Sequence, residues 1–214
     1  MRRYYRVGRT GRFYGGIATA DCCGCNLACI FCWSNYPREH PEIGRFYQPE
    51  EIGRILIQKA KKKGYHQVRI SGNEPTLAKD HLMRVIEIVN RSGLIFILET
   101  NGTLIDSDFA KDLRDFSHLH VRVSLKGANE EDFARLTQSD RVGFQLQLDG
   151  LSHLISHGIS CHAAVMVSFS KPSEVFKLKK RLAKIDPYLS QNLEEETVIL
   201  YPHVRRRLGD LRSF

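Results

Sequence analysis

Gln67-Val68-Arg69-Ile70-Ser71-Gly72 is a short β-type run closed by glycine. Close behind it, residues 79–91 place Leu82, Val85, Ile86 and Val89 at spacings of three and four before Gly93. A period of two that gives way to 3.6 is a strand followed by a helix, the half-unit of a parallel sheet. The pattern repeats downstream. Leu94-Ile95-Phe96-Ile97-Leu98 is a continuous apolar run, as a parallel strand covered on both faces requires. Asp106 is placed to cap a helix that carries Phe109 and Leu113 on one side. Residues 118–125 alternate Val121, Val123 and Leu125, 129–157 predict helix in one or two pieces, and 159–169 predict a strand, with Pro172 suited to the first turn of the helix after it. Upstream, Ile17-Ala18-Thr19 reads as a first strand and 49–62 as a helix, while Thr197-Val198-Ile199-Leu200-Tyr201 reads as the last strand. About six such units are too few to close an eight-stranded barrel. The expected fold is therefore α/β, a single-domain partial (β/α)6 barrel with a mostly parallel sheet and right-handed crossovers.

The bulk composition agrees with one soluble domain over 1–214: 42% hydrophobic and 26% charged residues are ordinary for a globular chain. No apolar run reaches membrane-spanning length, and the basic start Met1-Arg2-Arg3 has no apolar segment behind it, so a cytoplasmic protein without a leader is expected. The net charge of +8 and pI near 9.3 admit two readings. Lys59–Lys63 and Lys177–Lys184 suit solvated helix faces, whereas the arginines of the N-terminus and Arg205-Arg206-Arg207 would suit RNA.

Five of the six cysteines, Cys22, Cys23, Cys25, Cys29 and Cys32, crowd into one short stretch, with Cys161 alone elsewhere. That distribution fits metal ligation in a reducing compartment and not a disulfide scaffold. Within it, Cys25-Asn26-Leu27-Ala28-Cys29-Ile30-Phe31-Cys32 has the spacing C-x3-C-x2-C, on a loop (22–36) that follows the first strand. A cubane iron–sulfur cluster normally takes four thiolates, so three from one loop leave an iron free to bind a small molecule. Zinc is the alternative, with Cys22 or Cys23 as a fourth thiolate. Cys161, in an expected strand, is best read as a small buried hydrophobe.

The loop resembles the C-x3-C-x-Φ-C signature of the radical S-adenosylmethionine (SAM) superfamily, with Phe31 as the aromatic residue. Gly72-Asn73-Glu74-Pro75, at the end of the second expected strand, resembles that family's Gly-Gly-Glu-Pro turn. Asn73 stands in place of a glycine, and if the backbone there must reach φ > 0, Asn is the least costly replacement. Further stretches resemble the branch that activates glycyl-radical proteins. These are Thr100-Asn101-Gly102, Ser124-Leu125-Lys126 in place of Asp-x-Lys, and Leu200-Tyr201-Pro202-His203 in place of Leu-Pro-aromatic-His. Each stands at the C-terminal edge of an expected strand, where ligand sites collect in parallel α/β folds.

The resemblance implies Cys25, Cys29 and Cys32 as ligands of a [4Fe-4S] cluster. SAM would be contacted by Phe31, Trp33, Gly72, Asn73, Glu74, Pro75, Thr100, Asn101, Ser124, Lys126 and His203, with the ribose contact weakened by Ser124. It also implies reductive cleavage of SAM to a 5′-deoxyadenosyl radical that abstracts hydrogen, fed by a ferredoxin or flavodoxin. The activating-branch motifs favour a protein substrate, the arginines an RNA, and small-molecule chemistry stands behind both. A non-catalytic cluster- or zinc-carrying interaction protein is the reading from another class. The last strand is expected near 196–202, with a basic tail over 203–214.

Overall fold

The computed structural model describes residues 1–209; part of the expected basic tail, 210–214, lies outside the described residues. An eight-stranded sheet runs in the order β3-β1-β2-β4-β5-β6-β7-β8, so it has two edges and does not close. Its strands are β1 (Arg2–Gly11), β2 (Ile17–Cys22), β3 (Arg45–Tyr47), β4 (Gln67–Gly72), β5 (Ile95–Thr100), β6 (Leu119–Leu125), β7 (Cys161–Met166) and β8 (Glu194–Glu196). From β2 through β8 all neighbours are parallel, which gives the six parallel strands expected of a partial barrel. β1 and β3 extend the sheet antiparallel beyond β2.

The helices are α1 (Asn35–Glu39), α2 (Pro49–Lys63), α3 (Lys79–Asn90), α4 (Ser107–Leu113), α5 (Glu130–Thr137), α6 (Val142–Ser156), α7 (Pro172–Ile185), α8 (Pro187–Gln191) and α9 (Pro202–Gly209). Local chemistry sets their ends. Pro49 opens α2 and Pro172 opens α7, Asp106 caps α4 by accepting from Phe109 N at 2.7 Å, and Gly64 stops α2 in the left-handed region.

Strand alternation gives the sheet two unlike faces. One carries Ala18, Ala20, Val68, Ile70, Phe96, Leu98, Val121, Val123, Ala163 and Val165, all fully or almost fully buried. Helices α2 to α7 cover it with Ile52, Leu56, Val85, Phe109, Phe133, Leu151 and Leu178. The registers place Thr19, Asp21, Arg69, Ser71, Glu99, Arg122, Ser124, Glu194 and Glu196 on the other, concave face. The apolar face supplies the hydrophobic stabilisation, at about 25 cal/mol per Å² removed from water. The concave face is left for chemistry.

Two expectations at the chain ends are corrected. The first strand is β1 (Arg2–Gly11), ahead of the expected Ile17-Ala18-Thr19, and in it Arg6 and Arg9 pair with Asp21. The last strand is Glu194–Glu196, not 197–201; Ile199, Leu200 and Tyr201 are about half exposed, and His203 lies in the first turn of α9. Three glutamates have poor strand propensity, but here ion pairs override it. Arg122 reaches across β7 to Glu194 (3.0 Å) and Glu196 (2.7 Å), and Lys179 holds Glu195 at 2.7 Å.

Candidate cofactor site

The cysteine loop leaves β2 at its C-terminal end and docks on the last turn of α5. Ala28 N donates to Thr137 O (3.0 Å) and Ile30 N to Leu136 O (2.9 Å). From the far end of the chain, Arg207 of α9 donates through Nε to Ile30 O at 2.8 Å and through its terminal nitrogen to Cys32 O. The loop is thus held by its backbone, and its thiols are left unspent on disulfides.

The thiols sit together in a desolvated pocket. Burial pushes Cys25 up to about 12 and Cys29 up to about 11, and raises Cys32 as well. Cys25 feels Cys29, and Cys29 feels Cys32, as like charges that further oppose ionisation, while the Lys126 ammonium pulls all three the other way. Thiols held protonated by burial and by each other ionise when iron supplies the missing positive charge, with release of protons. Among the described residues no three His, Cys, Asp or Glu side chains converge as the ligands of one ion do. Three buried thiols from one loop, with SAM able to complete the fourth iron, would fit a [4Fe-4S] cluster with Cys25, Cys29 and Cys32 as its ligands.

Beside the thiols, the turn after β4 is braced from within. Glu74 is 2% exposed, and its carboxylate is saturated by the protein itself. Oε1 accepts from Thr76 N (3.1 Å), Thr76 Oγ1 (2.6 Å) and Thr100 Oγ1 (2.6 Å), and Oε2 accepts from Asn101 N (2.7 Å). This carboxylate joins the tips of β4 and β5. Asn101 continues the connection: its Nδ2 donates to Asn26 Oδ1 at 2.9 Å and lies 3.9 Å from Cys25 Sγ. Glu74, Thr100 and Asn101 therefore brace the strand tips against the cysteine loop.

Asn73 departs from the glycine for a reason other than backbone freedom. Among the described residues only Tyr14 and Gln138 are non-glycine residues at positive φ. Asn73 instead uses its side chain as a strap: Oδ1 accepts from Gly24 N (2.9 Å) and Nδ2 donates to Ser34 O (3.0 Å), so it ties both ends of the cysteine loop to the turn. Gly72 does need its glycine, since φ is +96° and a Cβ would lie 2.9 Å from that of Asp21.

Just past the end of β6, Lys126 Nζ donates to Ser124 Oγ at 2.6 Å, and Ser124 Oγ reaches Glu196 at 3.3 Å. Phe31 is nearly buried and stacks on Phe169 with ring centroids 5.7 Å apart. Trp33 faces outward at 41% exposure. His203, expected at a strand end among the SAM contacts, is exposed on α9 and places Nε2 2.9 Å from Trp33 O. It stands on the rim. The remaining cysteines are packing residues: burial pushes Cys22 up to about 11 and Cys161 up to about 12.

The concave face supplies side chains that periodicity did not single out. Asp21 is bracketed by Arg6 (3.0 Å), Arg9 (2.9 Å) and Ser71 (3.2 Å), and Arg69 pairs with Glu99 at 2.6 Å. Burial works against the Arg122 charge, but Glu194, Glu196 and Glu99 outweigh it and push its pKa up. The signal was present as Arg69 and Arg122 inside otherwise apolar strands. At the opposite, N-terminal end of the strands, a cavity of about 520 Å³ is lined by Tyr14, Gln67, Ile97, His120 and His162.

The chain matches the Radical SAM superfamily over residues 21–181. It belongs to that superfamily. Radical SAM enzymes carry a [4Fe-4S] cluster and SAM, and the residues above fit both. The chain is 29% identical over 174 residues to the Fe-coproporphyrin III synthase of Methanosarcina barkeri, covering 81% of this chain and 39% of that protein. It is 35% identical over 115 residues to a probable GTP 3′,8-cyclase of Methanocaldococcus jannaschii, covering 53% and 37% respectively. The chain thus spans about two fifths of the length of these curated relatives. Its fold is shared with Streptococcus suis SuiB bound to S-adenosylmethionine, with a TM-score of 0.63 at 16% identity over 91% of this chain and 49% of that one. Neither curated relative is named as an activator of glycyl-radical proteins, so membership is stated at the level of the superfamily. No helix among the described residues is long and apolar enough to cross a membrane.

Proposed function

We propose that this chain is a radical SAM catalytic core that cleaves SAM reductively and directs the resulting 5′-deoxyadenosyl radical to a hydrogen of a macromolecular substrate. The single observation that carries the reading is the hydrogen-bonded connection from Glu74 through Asn101 and Asn26 to Cys25, with the Lys126 ammonium beside the same thiols. When bound, the cluster and SAM supply the electron transfer and bond cleavage, driven by a low-potential donor such as a ferredoxin or flavodoxin.

The chain's own residues position and shield. Cys25, Cys29 and Cys32 hold the cluster. Gly72 and Asn73 would turn backbone carbonyls of the β4 turn toward the ammonium of SAM, while Glu74 and Pro75 hold that turn, their own carbonyls accepting from the Arg2 guanidinium at 2.6 and 3.2 Å and the Glu74 carboxylate from Thr76, Thr100 and Asn101. Lys126 would meet the SAM carboxylate, with Ser124 accepting a hydrogen bond from its ammonium, and Phe31, Thr100 and Asn101 would line the cofactor's side of the site. The polar concave face and the unclosed sheet favour a polar substrate too large for a sealed chamber. The activating-branch motifs support a protein substrate. The relatives named for GTP cyclisation and coproporphyrin synthesis support a small molecule, whereas the exposed aromatic and arginine side chains past Cys32 and on α9 support an RNA.

The test is anaerobic iron–sulfur reconstitution followed by a SAM-cleavage assay with dithionite. Formation of 5′-deoxyadenosine, abolished in Cys29→Ala, is the expected result. Tight zinc binding with no cubane and intact SAM would overturn the reading.

A further inference from the structure

The residues just past the third cysteine, together with the start of α9, build an exposed aromatic and cationic structure beside the cysteine loop. Trp33 is 41% exposed, and the Arg6 guanidinium lies 5.5 Å from its ring centroid and 5.0 Å from that of Tyr5. On the other side His203 holds the Trp33 carbonyl and stacks on Tyr201, with centroids 5.9 Å apart and planes 4° from parallel. Tyr201 is itself 45% exposed. The result is a contiguous belt of Tyr201, His203, Trp33, Arg6 and Tyr5 at the entrance to the concave face, because Arg6 also pairs with Asp21 inside it. On the first turns of α9, next to the belt, Arg205 and Arg206 are exposed, and among the described residues no carboxylate pairs with either.

Open aromatic faces interleaved with guanidinium groups are what single-stranded nucleic acid needs: bases stack on rings while cations follow the phosphates. A peptide would be held by apolar pockets or by strand addition; the edge strand that precedes α9, Glu194–Glu196, has its three carboxylates tied up by Arg122 and Lys179, and the belt itself is aromatic and cationic. The net charge of +8 favours the same polyanion. The geometry points to an unpaired stretch of RNA as the substrate, with one base stacked on Trp33 and the flanking phosphates on Arg205 and Arg206. This deepens the radical SAM reading and rests on it for the chemistry, but not for the binding.

The experiment is fluorescence anisotropy of labelled oligouridine and oligoadenosine, each about a dozen nucleotides long, on the reconstituted protein without reductant. Trp33 is the chain's one tryptophan, so its emission reads the belt in the same titration. The expected result is binding that quenches Trp33 and weakens steeply with salt. Trp33→Ala should weaken it between about five- and a hundred-fold, the range for loss of one stacked base. The double substitution Arg205→Ala and Arg206→Ala, on exposed side chains, should flatten the salt dependence by about two phosphate contacts, roughly 1.4 in the slope of log K against log salt. Unchanged RNA affinity in both variants would overturn the proposal. So would equally tight binding of GTP alone, quenching by SAM in place of RNA, or binding of an unstructured peptide but not of RNA. None of these results bears on SAM cleavage, which is measured separately.

Discussion

Replacing Glu74 tests whether its carboxylate braces the site or binds the cofactor. Four donors converge on it, at 2.6 to 3.1 Å, in a position 2% exposed. A hydrogen bond to a charged group is worth about 1.5–3 kcal/mol net, but the four are not additive. The Thr76 and Thr100 hydroxyls can turn to other acceptors. The Thr76 and Asn101 backbone N–H groups have no substitute, and each buried orphan costs about 1–3 kcal/mol. Together with the space left by the side chain, Glu74→Ala should cost about 3–5 kcal/mol. In a chain of this size that is a fall in Tm of roughly 6–20 °C. Glu74→Gln keeps the shape but turns an amide N–H2 toward donors, and should lose about half as much. Thermal unfolding of the cluster-free protein, followed anaerobically, measures both. A Glu74→Ala protein as stable as the parent, with SAM affinity abolished, would refute the bracing role and place the carboxylate on the cofactor.

Other substitutions separate the parts of the site. Lys126→Ala should leave cluster loading intact and weaken SAM binding by about tenfold or more, as removal of one charge-assisted contact does; equilibrium dialysis against labelled SAM reads it. Arg207→Ala frees the Ile30 and Cys32 carbonyls, and should speed loss of the cluster to a chelator without changing the fold seen by circular dichroism. Burial and the adjoining His162 push His120 down to about 4, and burial with the N-terminus and Arg2 does the same to His81. Both are neutral when folded and take protons more readily when unfolded, so their stability contribution is full above about pH 6.5 and is lost as pH falls toward 4. The Tm should fall across that window, and less steeply in His120→Asn; an identical slope in the variant would remove His120 as a cause.

The parallel core was legible because its strands and helices obey local periods: Val68, Ile70 and Leu98 face one side, and Leu82, Val85 and Ile86 answer them. The cysteine loop was legible from spacing alone. What escaped was set by distant partners. β1 carries too many arginines to look like a strand, and becomes one because Asp21 on β2 neutralises Arg6 and Arg9. Glu194–Glu196 is a strand only because Arg122 and Lys179 lie opposite. Asn73 was weighed as a backbone substitution, yet its value is in the two hydrogen bonds of its side chain, to Gly24 and Ser34. His203 was assigned by its place after a strand, and the strand ends earlier.

The reach of Arg122 over β7 has a mechanical consequence. It passes the His162 and Ala164 positions, where the small alanine leaves room for it, to fasten a three-residue edge strand. Most of the sheet is sewn by backbone ladders, which salt barely touches. This border is moored by charges that are partly open to water, and ionic strength reaches such charges. Raising ionic strength should therefore loosen the side-chain fastening of β8 before it touches the backbone ladders of the inner strands.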